Sequence, residues 1–468
     1  MQPESYDLVV IGGGPAGISG ANTASIFGKR VALVEQLREI GGAGINTGTI
    51  PSKTLRETAL ALSGVRSRKL FGVDLSLRRE ATVADFMRHE KNVATRERRR
   101  REEQLRTYNV ETFHAAATFV DPNTVRVGPD KLLRGDKILI ATGSSPVRPA
   151  EFPFEHPHVH DSDEILEIGS LPKSLAVVGA GVIGAEYACT FAALGVAVHL
   201  IDGRDALLGF LDREISENIQ RAMIAAGVHF VWKEKVTRCD APPVGNIMLT
   251  LTSGATLMVS DVLVAAGRQS NTGDLNLAAA GLTPGKRGLI KVDAQCRTDV
   301  PHIFAAGDVI GAPALAATGM EQARMAMCVA CEVDYKDVIA PILPTGIYTI
   351  PEASMAGESE DSLKSKGIDY VVGRARYMDN PRGQIIGDES GLLKLIFARD
   401  DMRLLGVHVV GEQATELVHI GLVAMMSGSG AELFNRTCLN YPTLGDLYKY
   451  ATYEAILKRD GLVAGERK

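Results

Sequence analysis

Two glycine loops, each set between an apolar run and a helix-like segment, constrain this chain more than any other feature. The first, Gly12-Gly13-Gly14-Pro15-Ala16-Gly17, follows Leu8-Val9-Val10-Ile11. The second, Gly179-Ala180-Gly181-Val182-Ile183-Gly184, follows Leu175-Ala176-Val177-Val178. Each continues through a helix-like segment into another apolar run that ends in an acid, Glu35 or Asp202, at the same interval from the third glycine. Strand, turn, helix, strand is the order of a dinucleotide-binding unit. Gly12 and Gly179 make the tight turn. Gly14 and Gly181 let the backbone approach a pyrophosphate, and Gly17 and Gly184 let helix and strand pack closely. The helix N-terminus presents free N–H groups and the positive end of its dipole to the phosphates. Glu35 and Asp202 are placed to accept hydrogen bonds from a ribose diol.

The rest of the chain fits around these units. Its 468 residues suffice for about three domains at roughly 150 each. Lys137-Ile138-Leu139-Ile140-Ala141-Thr142-Gly143-Ser144 reads as a strand ending in a small-residue turn. Asp261 to Arg268 closes the second unit in the same way, and His302 to Asp308 is a third such strand. Leu392–Phe397 and Leu404–Val410 read as paired strands, followed by a helix-like run from Glu412 to Met426. That C-terminal pattern is α+β and carries no glycine fingerprint.

Composition bounds the partners. A net charge of −5 gives no general attraction to nucleic acid or to a membrane surface. No apolar run reaches the roughly 18 residues of a membrane span. The start, Met1 to Asp7, lacks the basic residues of a signal peptide, so a cytoplasmic location is expected. The six cysteines are not spaced as a small disulfide framework. Cys328-Val329-Ala330-Cys331 has redox or zinc spacing but lies in a Met- and Ala-rich helical stretch, so two buried helical thiols are expected. The run Arg96 to Glu103 interleaves acids with arginines and reads as a solvated helix face. No metal site is expected.

Gly41-Gly42-Ala43-Gly44-Ile45-Asn46-Thr47-Gly48-Thr49-Ile50-Pro51-Ser52-Lys53 resembles the redox-active segment of the flavoprotein disulfide reductases. Where those enzymes carry two cysteines, this chain has Gly44 and Thr49. Disulfide exchange needs a thiolate as attacking species, and no thiol is present there. The resemblance implies two Rossmann-like domains, binding FAD and NAD(P), and a C-terminal α+β dimerisation domain. The boundaries expected are 1–150 with 272–342 for FAD, 151–271 for NAD(P), and 343–468 for dimerisation. It further implies that Lys53 lies near flavin N5 and pairs with Glu186, where a fixed cation would stabilise negative charge as the flavin is reduced. Contacts to FAD are implied for Gly42, Thr49, Thr142, Gly143, Asp308, Leu315 and Ala316, the last two opening a helix aimed at the pyrimidine end of the flavin. Gly267 and Arg268 are implied on the coenzyme side. Asp202 favours NAD(H), and Arg204 could turn to the 2′-phosphate of NADP(H), so both coenzymes are expected.

In the disulfide reductases a histidine precedes the proline of the C-terminal signature and serves the dithiol. Here Asn440-Tyr441-Pro442-Thr443-Leu444-Gly445-Asp446 puts a tyrosine in that place, and tyrosine cannot replace histidine as a base at neutral pH. A packing or flavin-shielding role is expected for Tyr441. Dithiol and base are thus missing together, whereas hydride transfer between coenzymes needs neither. With Pro344 to Glu352, Gly48 to Lys53 and Asn440 to Thr443, the chain resembles the soluble, FAD-containing pyridine nucleotide transhydrogenases. That implies hydride exchange between NADPH and NAD⁺ by a homodimer or larger assembly. The alternatives are an NAD(P)H-dependent reductase passing electrons to a quinone, metal ion or oxygen, and a non-catalytic nucleotide-binding flavoprotein.

Overall fold

The first strand, β1 (Glu4–Ile11), is buried over its apolar half, and the turn after it leads into α1 (Pro15–Ile26), with proline at a first-turn position where its missing N–H costs nothing. The structure is a computed structural model that describes residues 2–62 and 83–462, with side chains for 2–61 and 88–462. After α1 come β2 (Val31–Glu35), α2 (Gly42–Asn46), α3 (Thr49–Leu62), α4 (Val83–Thr107), β3 (Glu111–His114), β4 (Ala117–Asp121), β5 (Thr124–Val127) and β6 (Lys131–Ile140). Their sheet has the order β3-β2-β1-β6-β5-β4. Strands β3, β2, β1 and β6 are parallel, and β5 and β4 join antiparallel. The continuous apolar runs of β1 and β2 belong to strands covered on both faces.

The second group holds β7 (Ser144–Pro146), β8 (Val159–Asp161), β9 (Ser174–Val178), α5 (Val182–Ala193), β10 (Ala197–Asp202), α6 (Arg213–Ala225) and β11 (Val228–Trp232). It continues with β12 (Val236–Asp240), β13 (Ile247–Leu251), β14 (Thr256–Val259), β15 (Asp261–Val264) and β16 (Arg268–Ser270). A parallel sheet forms in the order β11-β10-β9-β15-β8, with β12-β13-β14 as a small antiparallel sheet. The pair β7–β16 is a two-stranded antiparallel link.

The chain then returns. β17 (Ile303–Ala305) lies parallel to the C-terminal half of β6, and α7 (Ala316–Ala330) packs against α1. The last group is β18 (Thr345–Ile347), β19 (Ala353–Gly357), α8 (Glu360–Lys366), β20 (Tyr370–Arg376), α9 (Pro381–Ile386), β21 (Leu392–Ala398), β22 (Leu404–Val410), α10 (Ala414–Met426), α11 (Ala431–Arg436) and α12 (Leu447–Arg459). Its sheet is antiparallel, β18-β19-β22-β21-β20, with α10 and α12 against it over a core that includes Leu393, Val407, Val409 and Tyr448. The fold is thus α/β with two nucleotide-type sheets, one mixed and one parallel, and a C-terminal α+β unit, as the sequence implies. The strand pair expected at Leu392–Phe397 and Leu404–Val410 is β21–β22.

Two side expectations can be placed. Cys328 is buried on α7 and Cys331 is half-buried at its C-terminal end, and burial raises both thiol pKa values. Both are inert by the criterion that a reactive thiol is exposed and acidified. The Arg96 to Glu103 run lies on α4 with Arg96, Arg99, Arg100, Glu102 and Glu103 exposed, and Glu97 pairs with Arg100 and Arg101. Among the described residues no helix is long and apolar enough to cross a membrane, and no group of histidine, cysteine and carboxylate side chains could hold a metal ion.

Candidate active site

The two glycine turns are near-copies in atomic detail. A Cβ added to Gly12 would stand 2.4 Å from the main-chain oxygen of Ala141, and one on Gly179 would stand 2.4 Å from that of Ala265. A Cβ on Gly17 would stand 1.9 Å from the oxygen of Gly12, and one on Gly184 would stand 1.9 Å from that of Gly179. Backbone cannot yield at such distances, so both turns demand glycine. Gly14 and Gly181 cap α1 and α5 with extended backbone.

The acids that end β2 and β10 grip the loops in the same way. Glu35 accepts a hydrogen bond from the N–H of Gly13 at 2.7 Å, and Asp202 accepts one from the N–H of Ala180, also at 2.7 Å. The other oxygen of Glu35 takes the N–H of Leu37 at 2.9 Å. Asp202 differs in having an arginine wrapped on it. Arg204 donates from its main-chain N–H and from Nε to Oδ1 of Asp202, each at 2.9 Å, and from Nη2 to Oδ2 at 2.7 Å. These bonds hold the Asp202 carboxyl down at about 2.

Around the first turn the structure gathers Gly42, Thr142 and Gly143. Gly42 has φ +53°, and a Cβ there would come within 2.9 Å of the Cα of Gly14, so α2 closes on the glycine loop by bare backbone. The Thr142 hydroxyl is buried and has no hydrogen-bond partner among the described residues. An unmet hydroxyl beside a glycine-lined helix N-terminus suits a phosphate-bearing ligand, and these residues therefore fit FAD. Gly143 has φ +69° and open space at its Cβ position.

Asp308, in the turn after β17, accepts a hydrogen bond from the Ser144 hydroxyl at 2.8 Å. Arg268 donates from Nε to that hydroxyl at 2.8 Å and from Nη2 to the Ser144 main-chain oxygen at 2.7 Å, and pairs with Asp163 at 3.3 Å. Its guanidinium therefore ties β16 to β7 and to Asp163, just after β8. Gly267, just before it, accepts the N–H of Val147 at 2.9 Å. Leu315 is the N-cap and Ala316 the first residue of α7, whose Gln322 accepts the N–H of Gly307 at 2.9 Å. The helix start is thereby fixed against the Asp308 turn.

Lys53 and Glu186 meet. Nζ of Lys53, on α3, is 2.5 Å from Oε2 of Glu186, on α5. The remaining carboxylate oxygen of Glu186 accepts the main-chain N–H of Tyr348 at 2.9 Å, and the Lys53 ammonium lies 5.0 Å from the centre of the Tyr348 ring. Arg56, one turn after Lys53, donates from Nε to the main-chain oxygen of Thr349 at 3.0 Å. Three distant parts of the chain thus converge on one ion pair. Sequence reading assigns no role to Tyr348, Arg56 or Ser144. Pro344 to Glu352 does stand out as a motif, but nothing in it says which residue reaches back to α5.

Gly44 lies within α2 and Thr49 opens α3. A Cβ on Gly44 would stand 2.6 Å from Cγ of Pro15. Tyr441, for which a packing or flavin-shielding role is expected, is not covered by its own chain among the described residues. It is 72% exposed, on the surface of the C-terminal unit, because Asn440 to Pro442 turns outward between α11 and α12.

Comparison with known proteins gives the family and the fold. A family model described as pyridine nucleotide-disulphide oxidoreductase matches residues 6–326, and the dimerisation domain of the same family matches 343–452. The soluble pyridine nucleotide transhydrogenase of Mycobacterium tuberculosis (strain ATCC 25177 / H37Ra) is 44% identical over 463 residues, 98% of each chain. The protein of that name from Azotobacter vinelandii is 39% identical, covering 97% of this chain and 99% of its own. Among solved structures, the HOCl-induced flavoprotein disulfide reductase RclA from Escherichia coli superposes with a TM-score of 0.86 at 26% identity, covering 96% of this chain and 99% of its own.

Proposed function

The chain belongs to the pyridine nucleotide-disulphide oxidoreductase family, and from that premise we propose that it is an FAD-dependent transhydrogenase exchanging hydride between NADPH and NAD⁺. The observation that carries the reading is the intact Lys53–Glu186 pair in a chain whose redox-segment positions are Gly44 and Thr49. The cation for hydride chemistry is in place, and no thiol stands ready to divert the electrons. When bound, FAD supplies the two-electron carrier through which hydride passes from one coenzyme to the next in ping-pong order.

The chain's own residues divide the work. The loop Gly12–Gly17 with Glu35, Gly42, Thr49, Thr142, Gly143 and Asp308 holds FAD, with the α7 start at Leu315 and Ala316 closing its far end. The loop Gly179–Gly184 holds the pyridine nucleotide. Lys53 places a positive charge at the reacting end, and Glu186 fixes its direction. Asp202 and Arg204 admit both coenzymes. With Arg204 on it, Asp202 presents a neutralised pair that does not repel a 2′-phosphate. Arg204 turns to that phosphate in NADP(H) and leaves Asp202 to the 2′-hydroxyl in NAD(H). Gly267 and Arg268 hold the floor of the coenzyme cleft.

The division into 1–150 with 272–342, 151–271 and 343–468 follows this assignment. The match of residues 343–452 to a dimerisation domain supports a homodimer or larger assembly, and α10 leaves Ile420, Val423 and Met426 exposed for a second copy. Tyr441, on the same unit, shields the flavin of the partner rather than of its own chain.

Anaerobic reduction tests the reading. NADPH should bleach the flavin absorbance of the holoenzyme, and NAD⁺ added next should restore it. Restoration by a quinone or oxygen faster than by NAD⁺ overturns the transhydrogenase in favour of a reductase, and failure of NADPH to bleach overturns both.

A further inference from the structure

The C-terminal unit reaches the Lys53–Glu186 pair of its own chain through Tyr348. Tyr348 follows β18, and Ile347 before it is locked in register against Ala353 of β19. Thr349 after it is fully buried, with its oxygen held by Arg56 and its hydroxyl donating to the oxygen of Pro351 at 2.7 Å. The backbone of Tyr348 is therefore gripped on both sides. One of those grips comes from α3, the helix that carries Lys53.

We propose that Tyr348 is a positioning residue for the Lys53–Glu186 pair, holding the carboxylate with its main-chain N–H and the ammonium with the face of its ring. The proposal rests on the reading of Lys53 given above. Glu186 has both oxygens engaged, one by Lys53 and one by Tyr348, so its carboxylate cannot rotate without breaking a bond. Lys53 has three N–H donors. One goes to Glu186, and Ser52 Oγ lies 3.3 Å away for a second. The direction left over has the ring, at a separation within the roughly 6 Å over which a cation is drawn to an aromatic face. A lysine stem is long and loses much rotamer freedom when it is pinned. A ring and a carboxylate together pin it where the carboxylate alone leaves it a cone of positions. Arg56 and Lys53 lie on one face of α3, three residues apart. Any shift of the helix thus moves the ammonium and the segment bearing Tyr348 together.

The test compares Tyr348→Leu, which removes the ring and keeps the main-chain N–H, with Tyr348→Phe, which restores the ring without its hydroxyl. In the FAD-loaded protein the leucine variant should slow anaerobic flavin reduction by NADPH about fivefold. It should leave the KM for NADPH within about twofold and shift the flavin absorption spectrum, because the charge beside the ring system is less fixed. Phenylalanine should rescue most of the rate. On a Lys53→Met background the same leucine substitution should add nothing, since Tyr348 acts through Lys53. Should the leucine protein fail to fold, Tyr348→Met serves in its place. Equal slowing by leucine and phenylalanine, or a full leucine effect on the Lys53→Met background, overturns the proposal. Parent-like flavin reduction in Lys53→Met alone overturns the reading of Lys53 instead.

Discussion

Arg56 and Thr349 stand 293 positions apart in the chain and are joined by a buried hydrogen bond, Nε to main-chain oxygen at 3.0 Å. Truncating Arg56 to alanine leaves that oxygen buried without a donor. A buried acceptor stripped of its partner costs about 1–3 kcal/mol. Arg56→Ala should therefore lower the urea midpoint by that amount of stability. Arg56→Lys should recover only part of it, because an ammonium cannot reproduce the planar geometry of Nε. Equal midpoints for parent and alanine variant would mean that water replaces the arginine.

Lys53 is expected to act through its charge. Lys53→Met keeps the length of the stem and removes the ammonium. Loss of one preorganised electrostatic contact at a reacting centre costs about 10²–10³-fold in rate. Anaerobic stopped-flow reduction by NADPH should slow by about 100-fold at the low end of that range. Glu186→Gln should slow it less, because the amide oxygen can still accept from Lys53 while the ion pair is lost. A glutamine variant slower than the methionine variant would contradict this order of importance.

Arg204 and Asp202 yield a prediction about coenzyme choice. Their pairing holds the carboxyl at about 2, so Asp202 is fully charged at any working pH. Arg204→Ala removes the cation and exposes that charge to a 2′-phosphate. The Kd for NADP⁺, read by titration against protein fluorescence, should rise about tenfold, equivalent to one lost charge-assisted hydrogen bond of about 1.5 kcal/mol. The Kd for NAD⁺ should stay level or fall, since Asp202 is then free for the 2′-hydroxyl. A parallel loss for both coenzymes would make Arg204 a structural residue of the loop.

What the sequence made legible follows from what coordinates demand. Gly17 and Gly184 could be read from spacing because no side chain fits 1.9 Å from a carbonyl oxygen, so residue type and geometry coincide there. Lys53 and Glu186 could be read because each sits in its own motif. Arg56 and Tyr348 could not, since their partners are set by how α3, α5 and the turn after β18 meet, and a segment of Pro344 to Glu352 reads the same wherever it docks. Tyr441 shows another limit, since an aromatic residue before proline suggests packing or shielding but does not say against which chain, and within its own chain it is exposed. Arg204 stands two residues from Asp202 in the sequence, while its bidentate hold on that carboxylate depends on a rotamer that spacing does not encode.

Glu352 supplies a pH dependence of stability. It is buried, and that burial raises its pKa above the usual carboxylate value, against the pull of the Thr415 hydroxyl and the Gln413 N–H, both of which it accepts. A carboxyl raised in the folded state binds its proton more tightly there than in the unfolded chain. Its contribution is therefore complete below the unfolded value near 4.5 and is lost as pH rises through the folded value. Glu352→Gln, which has no proton to lose, should be more stable than the parent at pH 8. The gap in urea midpoint should narrow as pH falls toward 4.5. A gap independent of pH would remove burial of charge as its cause.

Gly44 and Thr49 finally ask whether the disulfide chemistry of the family could be restored by two substitutions. Thr49 opens α3 and would accept a cysteine there. Gly44 would not, because its added Cβ meets Cγ of Pro15 at 2.6 Å, and Pro15 is a ring held at the first turn of α1, directly after Gly14. To admit a side chain, either α2 or the first turn of α1 must shift, and that turn is the one assigned to the phosphates of FAD. Overpacking of this kind costs about 1–3 kcal/mol. Gly44→Cys should accordingly purify with less bound flavin than the parent, measured as the ratio of visible to protein absorbance. Thr49→Cys should keep its flavin. The double variant should carry the flavin deficit of Gly44→Cys and gain no disulfide reductase activity beyond it. Full flavin content in Gly44→Cys would show that Pro15 yields, and that the glycine at this position is not required by the packing of α2 against α1.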